Sequence, residues 1–312
     1  MKPGENKGNR YLDFFEPGET NIGSSRTKKI LWVVFIVYSI LLFYGIIHHE
    51  DWRDEAQVWL TVRDSSFAGL FSRLPVEGHP PLWYLLLFPF IKLGMPYISM
   101  NVLNVLICIG AVYLLLFKTK LPLALKLLLP FSYFFLFEYA IIARNYSLVL
   151  FFCTAVISVY EQRFSKPLLY TLCIIGLYNS HVLVFPLCFV LSLLFLFESW
   201  KQHTLHLKKN MVYFIVMNIF GFYLIPYIAM GRTAEGFESL VSSTEGMTRA
   251  IAEAMLVSGS SAIGMAVFTV LLIALLACSW KAFLLALFAY CIYQALYCGD
   301  QAYLKTPYVW QV

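Results

Sequence analysis

The chain has 312 residues, 60% hydrophobic and 17% aromatic against 13% charged, with a net charge of +5 and a mean hydropathy of +0.72. A soluble domain cannot bury that much apolar surface, and apolar runs near the ~20 residues needed to cross a bilayer recur along the sequence, so the fold class is an all-α polytopic membrane protein. The lysines sit mostly in short segments between apolar runs, a topology signal and not a nucleic-acid surface. The seven cysteines lie in or at the end of apolar runs without a CxxC pair, so they support neither a zinc site nor a disulfide scaffold.

Residues 1–29 are polar and end in Arg26, Lys28 and Lys29, as expected of a flexible cytoplasmic tail. The apolar run 30–47 is long, lies far from the N-terminus and is followed by His48-His49-Glu50-Asp51-Trp52 instead of a small-residue cleavage site. It reads as a retained first span with its N-terminus inside. A charged island, residues 51–84, follows it, and a segment that polar between spans lies outside the hydrocarbon.

Further apolar stretches cover 80–96, 98–117, 121–138, 141–160, 167–179, 181–198, 211–230, 262–280 and 282–299. Topology turns on 80–96. If it crosses, nearly every downstream lysine falls outside. If it begins and ends on the outer face, then Lys118, Lys120, Lys126, Arg163, Lys166, Lys201, Lys208, Lys209 and Lys281 all face the cytoplasm. Pro80-Pro81, Pro89 and Lys92 favour the second reading. The expectation is therefore about nine transmembrane helices over residues 30–299, with an outer-face juxtamembrane helical region inside the loop 48–97, a second outer loop at 231–261 that is a lid or a linker, and an outer-face end at 300–312. Asp54, His79, the segment 138–144, His181 and the loop 231–260 all emerge on the outer side.

The candidate chemistry gathers there. Asp54 and Glu55, the candidate catalytic carboxylates, are adjacent on a helix running through Val58 and Trp59 to Arg63, and neighbours in sequence cannot share a helical face. One would point into a cavity, as a general base for a hydroxyl acceptor, and the other toward a neighbouring loop or the backbone. A solvated, helix-capping acidic pair fits the same residues. His79 precedes Pro80-Pro81 at a helix start, where a protonated ring suits a phosphate; a loop histidine without a partner fits equally. Arg144, between two apolar runs, suits bidentate phosphate binding, or a structural pairing with Glu138. His181 follows the turn Tyr178-Asn179-Ser180, where a hydrogen-bonded core histidine is the blander reading. Trp52, Trp59, Trp83 and Tyr84 fit interface anchors as well as sugar-stacking platforms.

The order of Asp54-Glu55-Ala56, His79-Pro80-Pro81-Leu82-Trp83-Tyr84, Ala143-Arg144-Asn145-Tyr146 and His181 resembles the GT-C membrane glycosyltransferases, in particular the protein O-mannosyltransferase and aminoarabinose transferase branch. The resemblance covers roughly residues 30–260. It implies an inverting glycosyltransferase that moves a sugar from a polyprenyl-phosphate donor to a lipid, glycan or protein acceptor at the outer face of a cell membrane. Asp54 would be its catalytic carboxylate, His79 and Arg144 would hold the donor phosphate, and Glu55, Tyr146 and His181 would support the cavity. Metal dependence is open, because GT-C families differ and a carboxylate pair does not by itself specify a divalent metal.

Two departures stand out. Relatives usually continue through more spans, whereas this sequence reaches Val312 soon after the ninth expected span, as a truncated, short or degenerate member would. His79 also stands where some relatives carry lysine. A transporter or flippase of a lipid-linked substrate would need inverted repeats and mid-membrane charges, and a non-catalytic membrane scaffold would need none of the site residues.

Overall fold

The computed structural model describes residues 25–77, 79–201 and 207–223, and every regular element among them is helical. The expected lid at 231–261, the spans at 262–280 and 282–299, and both chain ends lie outside the described residues. Ten helices follow in chain order: α1 (Ser25–Ile47), α2 (Arg53–Asp64), α3 (Phe67–Glu77), α4 (Leu82–Lys92), α5 (Ile98–Phe117), α6 (Leu123–Leu128), α7 (Tyr146–Val159), α8 (Pro167–Tyr178), α9 (Phe185–Lys201) and α10 (Leu207–Phe222). Among the described residues, three helical segments are long and apolar enough to cross a membrane: Ser25–Ile47, Ile98–Phe117 and Val182–Lys201. Trp32, Val33, Ile36 and Ile40 are exposed along α1, an apolar outer face that water would not tolerate in series.

Helices α1 and α5 pack antiparallel. At one end, just beyond α1, the Asp51 carboxylate accepts a hydrogen bond from Asn101 Nδ2 near the start of α5, at 3.0 Å. At the other end the rings of Trp32 and Phe117 lie 4.7 Å apart. Residues 48–97 therefore leave and rejoin the bundle at the same end, and α4 does not cross it. The 11-residue α4 lies against α2 instead, and Lys92 Nζ donates to the carbonyl of Arg63 at 2.7 Å, where a cation also meets the negative end of α2. Sequence reading assigned no helix to α3. Its Leu70 and Leu74, one helical turn apart, are both fully buried against Val58, Val62, Trp83 and Leu87, which seals the cap formed by α2, α3 and α4.

The expected span at 121–138 is broken. Only Leu123–Leu128 is α-helical, followed by a tight turn at Leu129–Phe131 and a widened one at Phe134–Glu138. Pro122 precedes the first piece and Pro130 lies in the tight turn that ends it, each lacking the N–H that a continuous helix needs. The segment still returns along the bundle. Lys126 Nζ donates to Thr119 O at 2.7 Å near the end of α5, the Tyr38 hydroxyl donates to Phe135 O at 2.7 Å beside α1, and Asn104 Nδ2 donates to Ala140 O at 2.8 Å near the start of α5.

From there α7 runs parallel to α5, α8 returns, and α9 and α10 form the next antiparallel pair. Gly176 of α8 lets the Phe152 ring of α7 come so close that a Cβ would lie 2.1 Å from it. The bundle thus has two chemically different ends. Lys118, Lys120, Arg163, Lys166, Lys201, Lys208 and Lys209 occupy one, tied there by the Lys120–Glu161 ion pair at 2.6 Å and by the pairing of Arg163 with Glu198. Asp54, His79, Arg144 and His181 occupy the other.

Candidate functional site

Glu55 is where the site is built from. It is the third residue of α2, is wholly buried, and points away from Asp54 as the helical period requires. Its Oε2 accepts the Trp52 backbone N–H at 2.8 Å, satisfying a free amide at the start of α2, and lies 2.8 Å from His49 Nε2. Its Oε1 accepts the Ala143 N–H at 2.5 Å. This last bond pins the segment that carries Arg144. On the other side of that segment, Gly45 in α1 makes room for Ile141, which would sit 2.3 Å from a Cβ there.

Arg144 leaves this pinned backbone and bridges two other predicted residues. One guanidinium nitrogen, Nη1, is 2.8 Å from Asp54 Oδ2, and the other, Nη2, is 3.1 Å from His79 Nε2. The Arg144 side chain is 11% exposed and that of Asp54 64%, so the ion pair has one buried and one open partner. Glu138, the sequence-level alternative partner, bonds the Tyr133 hydroxyl at 2.8 Å instead.

Burial first, and the Arg144 charge second, lower the His79 pKa from 6.5 to about 4. The protonated His79 expected from the sequence is therefore not the form present at neutral pH, because desolvation and a neighbouring cation both oppose its charge. An arginine only donates, so His79 Nε2 accepts and the ring proton sits on Nδ1, a buried atom that makes no hydrogen bond. His181 behaves alike. Burial, with smaller contributions from His79 and Arg144, lowers its pKa to about 3, and its Nδ1 accepts the Leu183 N–H at 3.1 Å, leaving the proton on Nε2.

The remaining predicted residue, Tyr146, opens α7 and stacks on the His181 ring at 5.3 Å, and the His181 ring lies 5.4 Å from that of His79. Tyr139 continues the stack at 5.4 Å from Tyr146. Asn145, which sequence reading did not single out, fastens the two turns together by donating from Nδ2 to Ser180 O at 2.7 Å. A small amide residue beside an expected site residue carries too little pattern to be found without the fold. His49, Asp51 and Asn101 carry no pattern of their own in the sequence; only their convergence after folding marks them.

Asp54, His79, Arg144, Tyr146 and His181 thus form one continuous contact set, with Glu55 behind it. Chemically, the set offers one cation and the Nε2–H donor of neutral His181 beside a solvent-facing carboxylate, while the Nδ1–H of His79 is buried. The chain matches no family model, no curated protein and no solved structure.

Proposed function

We propose that this protein is a membrane glycosyltransferase that moves a sugar from a polyprenyl-phosphate-linked donor to an acceptor hydroxyl, with inversion, at the membrane face opposite its lysine-rich end. The observation that carries the reading is the Asp54–Arg144–His79 constellation, an anion-binding cation and an open carboxylate held together at one end of an apolar bundle. The positive-inside rule then puts the lysine-rich end in the cytoplasm and the site outside.

In this mechanism Arg144 binds the donor phosphate, neutral His181 donates to its oxygens through Nε2, and His79 accepts from Arg144 and orients the guanidinium. Phosphate and Asp54 compete for one guanidinium, so donor binding releases Asp54 from its ion pair. The freed carboxylate takes the proton of the acceptor hydroxyl. The acceptor oxygen bonds to the anomeric carbon, the bond from that carbon to the phosphate oxygen breaks, and the electron pair leaves with the lipid phosphate. Charge grows on that leaving oxygen in the transition state, and a fixed guanidinium stabilises it there more than in the ground state. Glu55, whose oxygens are engaged by backbone and His49, positions Arg144 and does not touch substrate.

The test is release of polyprenyl phosphate from a panel of polyprenyl-phosphate hexoses and pentoses by the reconstituted full chain. Asp54→Asn is expected to slow it by about 10²–10⁴-fold while the protein stays folded, because Asp54 is largely exposed. Turnover at the wild-type rate in that variant would remove Asp54 from the chemistry.

A further inference from the structure

We infer that His49, Asp51 and Glu55 form a divalent-cation site at the junction of α1, α2 and α5, completed by the side chain of Asn101. This goes beyond the sugar-transfer reading and does not depend on it.

The geometry is that of a coordination shell. One ligand atom from each of His49, Asp51 and Glu55 lies within 4.8 Å of the others. His49 Nε2 and Glu55 Oε2 are 2.8 Å apart. For metal–ligand bonds of about 2.1 Å, adjacent ligands of an octahedral ion are about 3.0 Å apart and opposite ones about 4.2 Å; the His49–Glu55 pair already has the adjacent spacing, and exposed Asp51 closes the set by a side-chain adjustment. Asp51 is exposed, which leaves an entry path and room for water ligands, while Glu55 is buried and rigid.

A second observation points to a ligand. Asn101 is 2% exposed and docks on the cluster through its amide, with Nδ2 donating to Asp51 Oδ1 at 3.0 Å, yet its Oδ1 is buried and makes no hydrogen bond. A buried acceptor without a donor carries an uncompensated desolvation cost. Nδ2 is the atom that faces Asp51 here; a half-turn of the amide exchanges two atoms of nearly equal size, puts Oδ1 beside Asp51 as a ligand and turns the NH₂ into the place it leaves. The Tyr97 hydroxyl, next to α5, is likewise buried and unbonded, and both carboxylates act on it electrostatically.

One imidazole nitrogen with two carboxylates and an amide oxygen is a mixed nitrogen–oxygen set. It suits Mn²⁺ or Zn²⁺ better than Mg²⁺ or Ca²⁺, which prefer shells of oxygen alone. On binding, His49 Nε2 gives up its hydrogen bond to Glu55, its proton leaves for solvent or for Nδ1, and the freed lone pairs go to the ion. The loaded ion joins the ends of α1, α2 and α5, and through Glu55 Oε1 it stiffens the backbone that presents Arg144.

The experiment uses the full chain in detergent, stripped with chelator and titrated with Mn²⁺ under electron paramagnetic resonance, with electron spin echo modulation to detect a coordinated nitrogen. The expected result is one Mn²⁺ per chain with nitrogen modulation. That modulation is lost in His49→Gln, affinity falls at least tenfold in Asp51→Asn, and both signals are retained in Asp54→Asn. Asp51 is exposed, so its variant keeps the test independent of how well His49→Gln folds. Absence of stoichiometric Mn²⁺ binding by the wild-type chain, nitrogen modulation that survives His49→Gln, or unchanged affinity in Asp51→Asn would overturn the site. None of these readings uses a sugar donor, so loss of the transferase proposal leaves them unaffected.

Discussion

The Glu55 carboxylate accepts the backbone N–H of Ala143 at 2.5 Å, joining the first turn of α2 to a segment 88 residues further along the chain. A glutamine there keeps one acceptor but turns the other oxygen into an NH₂ that faces an N–H donor. Glu55→Gln is therefore expected to destabilise the protein by about 2–6 kcal/mol, since two buried donors then face each other and each left unpaired costs about 1–3 kcal/mol. Equilibrium unfolding in mixed detergent measures it. Wild-type stability in this variant would mean that the bond to Ala143 is dispensable.

Arg144→Lys keeps the charge and loses the fork. A lysine ammonium cannot reach Asp54 and His79 at once from a buried stem, whereas the guanidinium spans both at 2.8 and 3.1 Å. Affinity for a polyprenyl-phosphate sugar is expected to fall about tenfold or more, or about 1.4 kcal/mol. Direct binding with the variant tests it; unchanged affinity would show that a point charge suffices and that the fork plays no part.

Acid should destabilise the folded protein through its two buried histidines. An unfolded histidine titrates near 6.5, while folded His79 and His181 titrate near 4 and 3. Between those values the unfolded chain binds more protons, so stability rises with pH across the window. The contribution is complete above about pH 6.5 and is lost as pH falls through 4 toward 3. The unfolding midpoint measured from pH 7.5 to 4.5 is expected to drop more for wild type than for His79→Gln/His181→Gln, and parallel slopes would count against buried neutral rings.

Membrane orientation follows from two exposed positions. Leu93, just beyond α4, lies at the end of the bundle that holds Asp54, and Lys118, just beyond α5, lies at the other. In a cysteine-free background, Leu93→Cys is expected to react with an impermeant thiol reagent on intact cells, and Lys118→Cys only after permeabilisation. The reverse pattern would place the site in the cytoplasm and invert the proposed topology.

By itself the sequence determined the apolar, helical class and, among the described residues, most helix positions, because apolar run length and composition are local properties. The runs 98–117 and 167–179 emerge as α5 and α8 almost to the residue. It also distinguished Asp54 from Glu55, since adjacent helical residues must diverge. Only the tertiary structure decided what each faces. Asp54 meets Arg144 and Glu55 meets Ala143, contacts between residues about 90 positions apart that no local pattern encodes. The charge state of His79 was equally out of reach, because its ring at 79 is set by burial and by Arg144, both products of folding. The break in the expected span 121–138 was hidden for the opposite reason: its composition is as apolar as a continuous span, and although Pro122 and Pro130 stand in the sequence, only the backbone shows that the α-helix ends at Leu128 and does not resume before Glu138.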